Sequence, residues 1–491
     1  MSTEIVESGD QVQTLDARCQ AQLFAIIIAA TIAVKTGHHH YMAKPTDIQL
    51  KQAVLSQERI EFRTPLKFGG REVTDVVLGN VDVVVETRDG RTGKGRGSMP
   101  MANVWSWPSQ AGNGDQALAA MLGFAGSAVS AASDYDGQRH PLEMTHDLAA
   151  GHAEIARRLF TELDLPEPLP RLAQLVAASP LEAAIYDAYG HALGENAYNL
   201  LGADFVNDDL SAYLTAEFAG EYLDRYTSRR PKPTLPLYHL VGALDPLTYG
   251  DVGTPVGDDL PETLVEWIEA DGLTHLKIKL AGDDLAWDVE RVVAVENVTA
   301  ETQGARGCDA WYYSLDFNEK CANVQYVLDF LARVEERSPV ALRRVQYIEQ
   351  PTHRDLRANP ENRMHEAARI KPVVIDESLV DFESLVLARE QGYSGIALKA
   401  CKGHSEALLM GAAAQKYNLF LCVQDLTCVG ISFLHSASIA ARIPTVAAIE
   451  GNGRQYCPAG NRGWDKQYRG MFEVSDGTVA TGELNGPGLG F

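Results

Sequence analysis

Two lysines and three carboxylates, each closing a short apolar run, are the side chains best placed to do chemistry in this 491-residue chain. Lys279 follows HLKIK, Asp316 follows WYYSLD, Glu349 follows VQYIE, Asp376 follows PVVID and Lys399 follows GIALK. Three carboxylates brought together repel one another unless a cation lies between them. An oxygen-preferring divalent ion, Mg2+ with Mn2+ as a substitute, suits such a set, and no His or Cys stands at these ends to draw zinc. Lysines beside such an ion make metal-assisted proton transfer the leading expectation. A proton α to a carboxylate is hard to remove because a dianion forms, so fixed positive charge must wait where the second negative charge develops.

Lys277 and Lys279 are two residues apart, so on a strand they point to the same side. Their mutual repulsion is expected to lower the pKa of at least one and supply a neutral amine as base. Taken alone, KIK reads more readily as two lysines snorkelling from an exposed strand. Asn318, two beyond Asp316, is a candidate partner of the site, and Glu377, beside Asp376, is the alternative third metal ligand.

The five positions lie 37, 33, 27 and 23 residues apart, the length of one strand plus one helix. Eight candidate strands end near Gly242, Lys279, Asp316, Glu349, Asp376, Lys399, Gln424 and Glu450. Helical stretches such as Pro261–Asp271, Leu285–Val298, Ala322–Arg333 and His404–Tyr417 lie between them. Eight such units without hairpin signals predict an α/β fold of the (β/α)8 TIM-barrel type, whose strand ends converge on one mouth. Ahead of it, a β opening from Glu58 with a hairpin turn at Arg88-Asp89-Gly90 is followed by helical patterning. Those helices are expected over Gly114–Val129, Glu143–Leu163 and Leu172–Leu193, with Ser179 or Pro180 as a start signal and Gly194 as a stop. This opening reads as an α+β domain. The expected boundaries are 1–45 for an extension, 46–230 for the α+β domain, 231–450 for the barrel, and 451–491 for a glycine-rich segment packing back on the first domain.

With 66 acidic against 43 basic side chains, the net charge is −23, which argues against nucleic acid or an anionic membrane as partner and for a small molecule. The seven cysteines are odd in number and scattered, as free thiols in a reducing, cytoplasmic compartment would be. Leu23–Val34 is strongly apolar but short of the ~20 residues that span a bilayer. Its acidic upstream flank does not suit an export signal, so a buried or oligomer-contacting helix is expected. His38-His39-His40 do not share one face of a helix or strand and read as a loop.

In order and spacing, LKIK, SLDFN, YIEQP, VVIDES and IALKACKG resemble the enolase superfamily, specifically its muconate-lactonising-enzyme-like subgroup. FRTPLKFGG and SPLEAAIYDAYGHALG resemble the loop and last helix of that family's N-terminal α+β capping domain, so the likeness spans roughly residues 58–450. The resemblance implies that Asp316, Glu349 and Asp376 bind Mg2+. It implies also that Lys279 and Lys399 are acid/base catalysts on opposite faces of a carboxylate substrate, with Lys277 orienting the carboxylate and tuning its neighbour. The seventh strand ends CVQDLTCVG and the eighth AIEGNG, which makes Asp425 and Glu450 candidate substrate-side residues and departs from the Asp-x-Asp of dipeptide epimerases. Racemisation or epimerisation of an amino-acid-type carboxylate by a homo-oligomer is the favoured expectation. β-Elimination by an acid-sugar dehydratase or an o-succinylbenzoate-synthase-like enzyme, cycloisomerisation, and a non-catalytic ligand-binding barrel are the alternatives. Substrate choice should map to Arg63–Gly70 and Val104–Trp107 as a lid.

Overall fold

Alternating apolar and polar side chains through Ile48–Phe68 (β1), Arg71–Thr87 (β2) and Thr92–Pro100 (β3) give a three-stranded antiparallel sheet in that order. The computed structural model describes residues 43–68, 71–108 and 114–491, and Leu23–Val34 and His38–His40 lie outside the described residues. The sheet starts at Ile48, ten residues before the expected Glu58, because the polar residues Gln49, Lys51 and Gln52 still leave Ile48 and Leu50 on its buried face. The hairpin between β2 and β3 turns through Arg88-Asp89-Gly90, closed by Thr87 and Arg91.

A layer of helices covers the sheet: Asn103–Ser106 (α1), Gly114–Ser133 (α2), Pro141–Ala149 (α3), His152–Glu162 (α4) and Arg171–Leu193 (α5). The single helix expected over Glu143–Leu163 is two, broken at Ala150-Gly151. Conversely, α5 runs straight through the expected start at Ser179-Pro180. Pro180 cannot donate to the Val176 carbonyl, but the Ser179 hydroxyl does so at 2.9 Å, which keeps that acceptor satisfied. Gly194 ends the helix at φ 68°, as expected. β3 lies directly on α5 because its inward residues are Gly93, Gly95 and Gly97. A Cβ at Gly95 would sit 2.2 Å from the Ala188 nitrogen and 2.3 Å from the Ala184 oxygen. Among the described residues α2 alone is long and apolar enough to cross a membrane by length and composition, and it packs against β1 and α5.

The second half closes into a ring of eight parallel strands: Leu235–Val241 (β4), His275–Lys279 (β5), Tyr312–Asp316 (β6), Val345–Glu349 (β7), Val373–Ile375 (β8), Gly395–Lys399 (β9), Phe420–Gln424 (β10) and Ile449–Glu450 (β11). Pairing of β11 with β4 shuts the barrel through Ile449↔Leu237 and Glu450↔Tyr238. Each expected strand end falls within one residue of the observed one. Helices Leu264–Asp271 (α6), Leu285–Arg306 (α7), Val324–Arg337 (α8), Pro339–Arg344 (α9), His365–Ile370 (α10), Phe382–Glu390 (α11), His404–Lys416 (α12) and Ile431–Arg442 (α13) follow their strands. Inside the ring, Tyr238, Tyr347, Val374, Ala397, Cys422 and Ala448 form one apolar layer that fills the barrel, so the chemistry is confined to its mouth.

Beyond β11, short helical turns carry the chain back to α5. Leu489 N–H donates to Asp187 of α5 at 2.9 Å, and Ala197 N–H donates to the Gly488 carbonyl at 2.7 Å. Thr478–Val479 (β12) adds an antiparallel pair to β4 on the way. The six described cysteines are free thiols.

Candidate active site

Parallel register aligns the polar strand ends in one tier: Lys279 pairs with Asp316, Asp316 with Glu349, and Gln424 with Lys399. Alternation along β5 turns Leu276 and Ile278 outward and Lys277 and Lys279 into the barrel mouth, where both are buried. Asp316, Glu349, Asp376, Lys399, Asp425 and Glu450 are buried there as well. The backbone just past the strands is strained in several places, with Asn318 at φ 44°, Glu319 at 61°, Gln350 at 29° and Thr427 at 60°. Non-glycine residues persist in that region only where the surroundings force them, as at functional sites.

The lysines and carboxylates form one network. Lys277 Nζ lies 2.8 Å from Glu349, 2.8 Å from Glu450 and 3.1 Å from Asp316. Lys279 Nζ lies 2.5 Å from Asp316 and donates to Asn318 Oδ1 at 3.1 Å, while the Asn318 backbone N–H holds Asp316 at 2.8 Å. Lys399 Nζ lies 2.7 Å from Asp376. Burial by itself would lower the Lys277 pKa, but Glu349, Glu450 and Asp316 outweigh it and hold the ammonium well above its ordinary value. The expected depression through Lys–Lys repulsion is therefore corrected for Lys277: it has carboxylates of its own at contact distance. Lys399 is likewise raised, because Asp376 and Glu349 outweigh its burial. Burial would raise Asp316, yet Lys279 and Lys277 bring it below the usual carboxylate range. Glu349 is pushed well above that range by burial and by Asp316 beside it.

Glu377 turns away from the trio. Its Oε1 accepts from the Trp105 indole N–H at 2.9 Å, and burial, with Asp376 next to it, lifts its pKa to about 7. Trp105, carried on α1, also lays its ring over Lys399, with Nζ 4.5 Å from the ring centroid. Trp107 instead donates to Glu167 and packs within the helical layer.

Three residues that matter here were not singled out in the sequence as site residues, although Gln424 was expected as a strand end. Lys402, one turn past Lys399, is buried and donates to the Asp376 carbonyl and, at 3.1 Å, to its Oδ1. Gln350 Oε1 receives the backbone N–H groups of Asp376 at 2.9 Å and Ser378 at 3.2 Å, which fixes the loop carrying Asp376. Gln424 donates to Glu349. The i, i+3 spacing of KACK on a single turn was the available signal for Lys402. Nothing in the local pattern marks the two glutamines.

The donor set of Asp316, Glu349 and Asp376 is all oxygen, as Mg2+ requires, and one cationic nitrogen already bridges Asp316 and Glu349. Asp376 is occupied by Lys399 and Lys402, and among the described residues no three His, Cys, Asp or Glu side chains close on a common point. The chemistry of the set fits a divalent ion. Its side-chain arrangement is that of a lysine-bridged network.

Above the tier, strands β1 and β2 and helices α1 and α2 roof a cavity of about 110 Å3, several times the ~10–15 Å3 one water needs. Lys277, Lys279, Asp316, Asn318, Lys399, Asp425 and Glu450 line its floor and flank, and Phe62, Leu66, Val104 and Trp105 its roof. Arg63, expected in the lid, faces a neighbouring cleft and pairs with Asp258 at 2.5 Å. Asp425 accepts backbone N–H groups from Thr427 and Cys428, yet burial and then Glu450 push its pKa to about 8.

Residues 259–491 match the enolase C-terminal domain-like family. Among solved structures, muconate lactonizing enzyme from Pseudomonas fluorescens, complexed with muconolactone, is similar at 18% identity and TM-score 0.54, covering 90% of this chain and 96% of that one. The L-Ala-D/L-Glu epimerase from Bacillus subtilis is similar at 18% identity and TM-score 0.55, covering 90% and 98%. A dipeptide epimerase from Enterococcus faecalis V583, complexed with Mg and L-Leu-L-Tyr, is similar at 16% identity and TM-score 0.56, covering 90% and 99%. No curated protein matches the chain significantly in sequence. With its eight-stranded parallel barrel and antiparallel capping sheet the chain has the fold of these solved structures, and residues 259–491, which carry seven of the eight barrel strands, belong to the enolase C-terminal domain-like family.

Proposed function

We propose that this protein removes the proton α to a substrate carboxylate to give an enolate and returns a proton to the same carbon, racemising or epimerising an amino-acid-type acid. The observation that carries this reading is the placement of Lys279 and Lys399 at the ends of strands four apart in an eight-strand ring, both lining one buried cavity. A substrate carbon held between them can lose a proton to one lysine and gain one from the other, with inversion. Lys277, cationic and fixed by Glu349 and Glu450, meets the substrate carboxylate and offsets its charge. Asn318 holds Lys279 and Asp316 in line, and Trp105 shields Lys399 from water.

Asp316, Glu349 and Asp376 would hold Mg2+. Bound there, the ion supplies fixed positive charge where the second negative charge of the deprotonated acid develops. Likeness to an epimerase solved with Mg and a dipeptide supports this choice of cofactor and of substrate type.

The test is exchange of solvent deuterium into the α position, followed by NMR in D2O with Mg2+ present. Incorporation without loss of a leaving group is the expected result. Loss of a leaving group would replace racemisation with elimination. Absence of exchange across amino-acid derivatives, dipeptides and hydroxy acids would defeat the proposal.

A further inference from the structure

The charge in the cavity is one-sided. Among the described residues lining it, the cations are Lys277, Lys279 and Lys399, all on the barrel floor. The capping side is mainly apolar, through Phe62, Leu66, Val77, Val104 and Leu118, with Asp75 and Asn103 as its polar side chains and no described basic side chain among the residues that line it. Each acidic group that borders the cavity on its flank or roof already has a partner. Glu450 meets Lys277 at 2.8 Å, Asp425 accepts from Thr427 and Cys428 at 3.3 and 3.2 Å, and Asp75 pairs with Arg59 at 2.6 Å.

We infer that the substrate is a monocarboxylate whose remainder is apolar and uncharged, with the carboxylate at the lysine floor and the apolar part against the roof formed by Phe62, Leu66, Val77, Val104 and Leu118. The inference rests on the proposed function for the position of the carboxylate. Its physical basis is the cost of the alternatives. A second carboxylate at the roof would be desolvated against aliphatic groups with no cation among the described lining residues to meet it, and Glu450 on the flank would repel it. A polyol chain would meet only Asp75 and Asn103 as polar side chains on the roof, so most of its hydroxyls there would lose water without a replacement. A distal ammonium finds no acidic group without a partner among the described lining residues. Apolar carbon is the one chemistry that the roof rewards, at roughly 25 cal/mol for each Å2 it removes from water.

Three acids on a common scaffold, Nα-acetyl-leucine, Nα-acetyl-glutamate and Nα-acetyl-lysine, which differ only in the tail, together with gluconate separate these cases. Binding to the Mg2+-supplied protein is measured by calorimetry, and α-deuterium exchange is followed in parallel. N-acetyl-leucine is expected to bind at least 30-fold more tightly than the other three. Leu66→Arg should narrow or reverse the preference over N-acetyl-glutamate. Equal or tighter binding of N-acetyl-glutamate, N-acetyl-lysine or gluconate by the unaltered protein would overturn the inference, as would failure of all four to bind. Preferential binding of N-acetyl-leucine without exchange of any acid would support the apolar-acid site while defeating the enolate reading, so the two failures are distinguishable.

Discussion

Trp105 and Glu377 lie 272 residues apart in sequence, and the indole N–H of one donates to the carboxylate of the other at 2.9 Å with both side chains buried. The contact ties capping helix α1 to the barrel loop beside Asp376, and the same ring lies over Lys399. A double-mutant cycle with Trp105→Phe and Glu377→Met, each of which removes one partner of the bond, should give a coupling of about 1 kcal/mol or more in unfolding free energy, because either change leaves a buried polar group without its partner. Additive effects would show that the bond contributes nothing.

Removal of the ion is a second expectation. EDTA should abolish α-proton exchange, and Mg2+ or Mn2+ should restore it. Asp316→Asn and Glu349→Gln should each lower exchange by about a hundredfold or more while the protein stays folded, since fixed charge at a developing oxyanion contributes several kcal/mol. Undiminished exchange after thorough chelation would sink the metal assignment.

The two lysines can be told apart by hand. Lys279→Ala and Lys399→Ala should each stop interconversion of enantiomers, yet each should still exchange the α proton of one enantiomer, a different one in each variant. Equal loss with both enantiomers in both variants would count against independent bases.

Glu182 of α5 is buried against α12, where it accepts the Ser405 N–H at 3.1 Å. Burial raises its pKa from 4.5 to about 7, with the Ser405 and His404 N–H groups and Arg171 opposing the shift. An acid with a raised pKa in the folded state stays protonated there while the unfolded chain ionises, so stability declines as pH climbs from about 4.5 to about 7 and then levels off. Glu182→Gln removes that dependence. The variant should gain about 2 kcal/mol on the parent between pH 5 and pH 8 in denaturant titrations. A constant difference across this range would show that Glu182 is not protonated in the folded protein.

Close approach of β3 to α5 sets a packing test. Gly95→Ala would drive a Cβ to 2.2 Å from the backbone of Ala188, so sheet and helix must part. A loss of roughly 3 kcal/mol or more in unfolding free energy is expected, and a loss under about 0.5 kcal/mol would contradict the packing.

The tier of polar strand ends was legible in the sequence because a lone charge closing an apolar run is a strong local signal, repeated here at one strand-helix spacing. Helix boundaries were less so. Pro180 reads as a start in isolation, and only the Ser179 hydroxyl bonded to Val176 explains why α5 continues through it. The sign of the Lys277 shift was out of reach for a different reason. Its neighbour Lys279 is two residues away in sequence, whereas Glu349 and Glu450, which outweigh it, arrive from 72 and 173 residues away. Gln350 and Gln424 act by holding other groups, Gln350 by anchoring backbone N–H groups and Gln424 by donating to Glu349, and carry no pattern of their own.

The bond from Leu489 to Asp187 reaches across 302 residues. At about 5–20 residues per second, a ribosome needs roughly 15–60 s to make that stretch. For that interval α5 is present without the segment that finishes its packing, so the N-terminal half emerges as an incomplete body that must wait for the barrel to be synthesised. Chaperone dependence and aggregation during synthesis should therefore concentrate on the α5 surface around Asp187.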